Sequence, residues 1–128
     1  PHPLEFGRLI GKTAGEGQEE RMRLTLEYAK RWQVSLLLKG ADTLVSDGET
    51  VYLNTTGSSA LAKGGSGDVL AGAVGAFLAE GVAPTEALAI GAYLHGRAGD
   101  TLASELSEYG VLPSELPRQM AKELAGIK

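Results

Sequence analysis

Cysteine is absent from this 128-residue chain. That excludes disulfides, thiolate metal sites and cysteine nucleophiles. Histidine is scarce, with two residues, and no His/Cys/Asp/Glu spacing reads as a metal site. Aromatic residues make up only 5%. Basic residues are in the minority, 12 Lys and Arg against 16 Asp and Glu, for a net charge of −4. A nucleic-acid surface wants a basic face, so that partner is disfavoured, whereas a nucleotide needs only a local pocket. No apolar run approaches membrane-spanning length, and nothing at the start reads as a signal peptide. With no cysteine to protect, the expected location is the reducing cytoplasm, away from membranes. What remains, 43% hydrophobic and 22% charged residues, describes a globular chain long enough for one modest core.

What stands out within it is Lys63-Gly64-Gly65-Ser66-Gly67-Asp68-Val69-Leu70-Ala71-Gly72. Glycines lead to an acidic residue, and an apolar run follows. A helix starting here points unpaired N–H groups at whatever lies in front of it, and the glycines let that object approach. Phosphate is the natural guest, because a helix N-terminus carries partial positive charge. Asp68 then needs a separate task, since a carboxylate repels phosphate. Taking the proton from a hydroxyl that attacks the phosphate is one. A glycine loop simply capped by Asp68 is the plainer reading.

Periodicity predicts a short helix over 4–10, a loop over 11–17, a helix over 18–33 and a buried strand over 34–38. The prolines at 1 and 3 bias their predecessors to an extended form, so the stretch from Pro1 to Leu4 is not helical at its start. Strands over 43–46 and 50–54 flank Asp47-Gly48, a hairpin turn signal. Residues 55–67 read as a loop and 69–80 as a small-residue helix able to approach a sheet, stopped by Gly81. A helix from Pro84 to about Leu106 and a last one over 113–125 complete an α/β order, with few strands for so many helices.

Lys39-Gly40-Ala41-Asp42-Thr43 follows the buried strand, and open α/β sheets gather ligands at the carboxyl ends of strands. Lys39 there could meet phosphate and Thr43 a nucleotide oxygen; a solvated tight turn is the alternative. Gly7-Arg8-Leu9-Ile10-Gly11-Lys12-Thr13 imitates a phosphate loop but has three residues between its glycines instead of four, and no strand precedes it. His2, between two prolines, is expected to be extended and exposed. His95 reads as a packing histidine, and Asp100, Glu105 and Glu108 as solvated or capping.

Four stretches together resemble the ADP- or ATP-dependent NAD(P)H-hydrate dehydratases of the ribokinase-like superfamily. They are Pro1-His2-Pro3-Leu4-Glu5-Phe6-Gly7-Arg8-Leu9, then residues 38–43, then 54–57 through 64–72, and Tyr93-Leu94-His95-Gly96-Arg97-Ala98-Gly99-Asp100. The glycine-Asp turn resembles the superfamily as a whole; the first and last stretches narrow it to the dehydratase branch. The resemblance implies a three-layer ribokinase-like α/β sandwich. Residues 1–128 would be the C-terminal part of one such domain, with the N-terminal half absent. Lys63 stands where many relatives carry threonine, and Ser58-Ser59 replaces a common Asn-Pro. The implied reaction restores NADH or NADPH from its hydrate at the expense of ADP or ATP, with Mg²⁺ carried by the nucleotide. Asp68 would be the base and, with His2, would contact the hydrate. Lys39, Gly40, Ala41, Asp42, Thr43, Gly65, Ser66 and Gly67 would contact the nucleotide. A kinase for a vitamin precursor or sugar, and a non-catalytic half-domain, are the competing readings. Apolar surface left by an absent half would favour a homo-oligomer.

Overall fold

The computed structural model describes residues 1–13 and 17–127. Its backbone groups into two compact units, Pro1–Asn54 and Thr55–Lys128. Both helices and strands form where apolar periodicity places them, with instructive shifts at the ends.

The first unit contains helices α1 (Pro3–Ile10) and α2 (Gln18–Trp32) and strands β1 (Leu36–Leu38), β2 (Thr43–Ser46) and β3 (Val51–Asn54). Helix α1 begins at Pro3, one residue before the expected Leu4, after an extended His2. Proline at the first helical position loses no hydrogen bond and brings a ready-made φ. Gly11 ends α1 in the left-handed region, at φ 72°. The imitation phosphate loop is therefore a helix C-terminus. Of the loop expected over 11–17, residues 14–16 lie outside the described residues.

The strands form a β1-β2-β3 antiparallel sheet, with Leu38 opposite Leu44 and Ser46 opposite Val51. The Asp47-Gly48 hairpin closes as expected. Asp47 Oδ1 accepts from the Glu49 and Thr50 amides, both at 2.8 Å. Gly48 adopts φ 94°, and a Cβ there would meet the Lys30 backbone at 2.9 Å. The Thr50 and Glu49 amides hold the exposed Asp47 carboxyl below its ordinary pKa of 3.8. Because the folded value is depressed, these bonds persist above 3.8 and are lost as pH falls through the folded value. The Glu49 and Thr50 amide resonances are thus expected to titrate together with a midpoint below 3.8; a midpoint at or above it would remove the turn's proposed anchor.

Phe6, Leu24, Tyr28, Ala29, Leu36, Leu38 and Leu44 form the core of this unit. Phe6 meets Tyr28 and Trp32 edge-on, with centroids 5.8 and 6.2 Å apart.

The second unit contains α3 (Ser66–Ala79), α4 (Pro84–Gly110) and α5 (Leu116–Gly126). Two short 3-10 turns, Ser59–Leu61 and Pro113–Glu115, precede α3 and α5. Helix α3 thus starts three residues before the sequence reading placed it, with Gly65 as its N-cap. Its buried side chains Leu70 and Val74 lie one turn apart and meet α4 at Gly91, where a Cβ would stand 2.8 Å from Val74. Among the described residues, a Cβ on Gly72 or Gly75 would have nothing within 4 Å. Helix α4 runs past the expected Leu106, but Ser107 breaks it with φ 64° and ψ 167°. Ala60, Leu94, Ala98, Leu102, Val111, Leu116 and Met120 form the core. Glu123 of α5 accepts from Thr101 at 2.6 Å and from Gln119 at 3.1 Å, and sits 3.6 Å from Arg97, fastening α5 to α4.

Candidate functional site

Every residue of the glycine turn lies in the second unit, and its geometry follows from four amides. Gly65 sits at φ 96°, a conformation that a side chain resists, and no side chain caps the helix it opens. The Ser66 amide turns back to donate to the Lys63 carbonyl at 3.1 Å, and the Val69 amide donates to Gly65 at 3.1 Å. Among the described residues, that leaves the Gly67 and Asp68 amides as the first-turn donors without a protein acceptor. Ser66's N–H is thus occupied, and the N–H of Asp68 stands open beside that of Gly67. Asp68 occupies the third helical position with its side chain exposed. It does not cap α3, which corrects the plainer reading of that residue.

Lys63 does not face the turn's opening. Its ammonium donates to the carbonyls of Tyr109 (3.1 Å) and Val111, at the end of α4, where a cation suits the helix C-terminus. Lys63 thus fastens the loop to the end of α4. Ser59 is tied to the same end of α4 by a 2.5 Å bond from its hydroxyl to Glu108.

Helix α4 backs the whole approach to the turn. Asp100 accepts from the Gly57 amide at 3.0 Å, so it holds a backbone group instead of being merely solvated. The Thr56 hydroxyl donates to the Tyr93 carbonyl at 3.1 Å. His95 is 7% exposed and its Nε2 lies 3.0 Å from the Ser66 carbonyl and 3.1 Å from the Ser66 hydroxyl. Two glycines make this closeness possible. A Cβ on Gly96 would fall 2.0 Å from the Thr56 hydroxyl and 2.6 Å from its carbonyl carbon; one on Gly99 would fall 2.7 Å from Leu61. Gly96→Ala is therefore expected to cost about 1–3 kcal/mol, the usual range for overpacking. It should also displace the 55–57 segment. A urea midpoint equal to the parent's would contradict this packing.

The first unit holds the other expected residues. Lys39, Gly40, Ala41 and Asp42 make the turn between β1 and β2, and Thr43 opens β2 opposite Asn54. Arg21 of α2 lies across this turn, donating to the carbonyls of Lys39 at 3.4 Å and Asp42 at 3.2 Å. A Cβ on Gly40 would meet its guanidinium at 2.3 Å. The Lys39 amide donates to the Pro1 carbonyl at 2.8 Å, bringing the chain segment around His2 beside the turn.

His2 is extended and exposed, as expected, and caps α1. Its Nδ1 accepts from the Glu5 amide at 3.2 Å, while Glu5 accepts from the His2 amide at 2.9 Å. That bond holds the exposed Glu5 carboxyl below its ordinary range. With Nδ1 accepting, neutral His2 carries its ring hydrogen on Nε2. Sequence reasoning passed over Arg21 and the tie from Asp100. The signal for Asp100 was its place one turn beyond Gly96, where the helix must touch backbone.

Residues 1–122 match the family described as NAD(P)H-hydrate dehydratase. The chain is 45% identical over 118 residues to a bifunctional NAD(P)H-hydrate repair enzyme Nnr of Moorella thermoacetica, covering 91% of this chain and 22% of the relative. It is 42% identical over 103 residues to an ADP-dependent (S)-NAD(P)H-hydrate dehydratase of Neisseria meningitidis, covering 80% and 35%. The solved ADP/ATP-dependent NAD(P)H-hydrate dehydratase of Bacillus subtilis, co-crystallized with ATP/Mg²⁺, superposes with a TM-score of 0.92 at 33% identity. That match covers 100% of this chain and 47% of the other. A ribokinase-like superfamily protein of Enterococcus faecalis superposes at 0.74 with 32% identity, covering 95% of this chain and 43% of the other. The chain thus spans a fifth to a third of these two curated relatives and just under half of the solved ones. Its fold is the ribokinase-like α/β fold, and the chain belongs to the NAD(P)H-hydrate dehydratase family.

Proposed function

We propose that the complete protein to which this chain contributes restores hydrated NADH or NADPH by nucleotide-dependent dehydration. The observation that carries this reading is the pair of open amides at Gly67 and Asp68, with an exposed carboxylate on the same helical turn. Donors aimed where charge develops, beside a base, suit transfer of a phosphoryl group to a hydroxyl.

In the proposed reaction Asp68 accepts the proton of the hydrate's hydroxyl. The freed oxygen attacks the terminal phosphorus of ADP or ATP, and the bond to the leaving AMP or ADP breaks. The Gly67 and Asp68 amides stabilise charge on the transferred group. The bond from the ring carbon to the phosphate oxygen then breaks as the adjacent ring carbon loses a proton, so the electrons of that C–H bond restore the double bond and inorganic phosphate leaves. The balance is hydrate plus nucleotide triphosphate or diphosphate giving reduced cofactor, the nucleotide shortened by one phosphate, and inorganic phosphate. Mg²⁺ would enter on the nucleotide's phosphate oxygens and neutralise their charge. We assign Lys39, Gly40, Ala41, Asp42 and Thr43, with Gly65, Ser66 and Gly67, to the nucleotide. His2, whose Nε2–H is a donor, and Asp68 are assigned to the hydrate. Residues 1–128 serve as the C-terminal part of one domain.

The test is to supply hydrated NADPH and ADP or ATP to the complete protein and follow reduced-nicotinamide absorbance and free phosphate together. Both should rise one to one. A phosphorylated product that accumulates without reduced cofactor would replace this reading by a kinase.

A further inference from the structure

His95 is buried, charged chemistry is not required of it in the proposed reaction, and yet it bonds directly to the glycine turn. Its Nε2 stands 3.0 Å from the Ser66 carbonyl oxygen and 3.1 Å from the Ser66 hydroxyl. A carbonyl oxygen only accepts, so a bare nitrogen lone pair at 3.0 Å would be repelled. Nε2 therefore carries hydrogen and donates. This tautomer removes His95 as a base for the Ser66 hydroxyl, and Ser66 is itself only 3% exposed. A nucleophilic Ser–His pair is thereby excluded.

The Ser66 carbonyl and the Gly67 amide belong to one peptide unit. That unit is planar and trans, so its C=O and N–H point in opposite directions. Fixing the carbonyl on the buried side fixes the N–H on the open side. Donation to the carbonyl also polarises the amide and strengthens it as a donor, by about 10–30% per bond in condensed-phase estimates. We infer that His95 is a positioning residue for the anion-holding turn: through the Ser66–Gly67 peptide it aims and strengthens the Gly67 N–H toward the transferred phosphoryl group. The inference rests on the phosphoryl-transfer reading of the turn, and its ligand is the terminal phosphate of a nucleotide.

The experiment compares His95→Leu and His95→Gln in the complete protein. Glutamine places an N–H donor near the position of Nε2; leucine fills similar space without one. Leu102→Val, in the same helix and the same core, controls for lost packing. The His95→Leu variant should lower kcat about 10- to 100-fold, the scale of a small misalignment, with KM for the hydrate unchanged. His95→Gln should recover most of that loss. The Gly67 amide resonance should move in His95→Leu and return in His95→Gln, and its response to added ADP should follow the same order. Leu102→Val should lower the unfolding midpoint without touching kcat or the Gly67 resonance. Equal losses in the leucine and glutamine variants, or a Gly67 amide indifferent to all three, would overturn the inference. If the parent protein fails to restore hydrate, the functional reading falls, and the Gly67 resonance with its ADP response still decides whether His95 aims this amide.

Discussion

Asp68→Asn in the complete protein is expected to cut turnover of the hydrate by about 10²–10⁴-fold, the usual contribution of a positioned general base. Asparagine keeps the backbone, the size and the exposed third position of α3. It loses only the ability to take a proton. The two open amides stay in place, so ADP affinity should hold or improve, because a negative charge beside the phosphates has gone. The unfolding midpoint should move little, since Asp68 makes no capping bond and α3 is capped by Gly65. A acid beside a helix N-terminus normally helps that helix by about 0.3–1 kcal/mol, which bounds the stability change. Turnover equal to the parent's would dismiss Asp68 as the base. Loss of ADP binding in parallel with turnover would recast it as a binding group.

The second large effect belongs to Phe6→Ala. Phe6 is fully buried and is the only buried side chain of α1. It meets Tyr28 and Trp32 edge-on, and those two rings tilt against each other at 4.9 Å. Truncation removes the transfer energy of the ring and leaves a void that α2 and the sheet cannot close without moving. A loss of about 3–5 kcal/mol follows. Single domains are held together by about 5–15 kcal/mol, so most of the margin disappears. Phe6→Leu, which refills part of the void, should lose distinctly less. Urea unfolding reads both, and an unmoved midpoint for Phe6→Ala would mean that α1 is not anchored by this ring. The consequence reaches His2, because α1 frays when its one buried contact goes, and the capping box of His2 and Glu5 goes with it.

The elements were legible in proportion to their periodicity. Helix α2, with apolar residues at helical spacing, ends within a residue of where its pattern stops. The Asp47-Gly48 hairpin was legible because one dipeptide carries both the turn's acceptor and its left-handed backbone. The start of α3 was not, because glycines have low helix propensity and Gly67 nonetheless lies inside the helix. Tertiary contact overrides that preference here, since Ser66 is buried and tied to His95. The long-range ties were illegible for a different reason. Gly57 and Asp100 are 43 positions apart, and no local pattern links an amide to a carboxylate at that separation. The glycine turn itself was visible at once, while which of its amides stay open required coordinates.

The break at Ser107 has an outcome for the loop that precedes α3. Its φ of 64° and ψ of 167° fall where glycine is the usual occupant. Interrupting α4 there loosens its final turn, and the oxygens at 109 and 111 become ligands for a single ammonium on Lys63. Position 63 and the stretch 107–111 consequently behave as lock and key. Lys63→Thr on this scaffold would leave those oxygens without their ammonium, so position 63 and the stretch 107–111 are best exchanged as a pair.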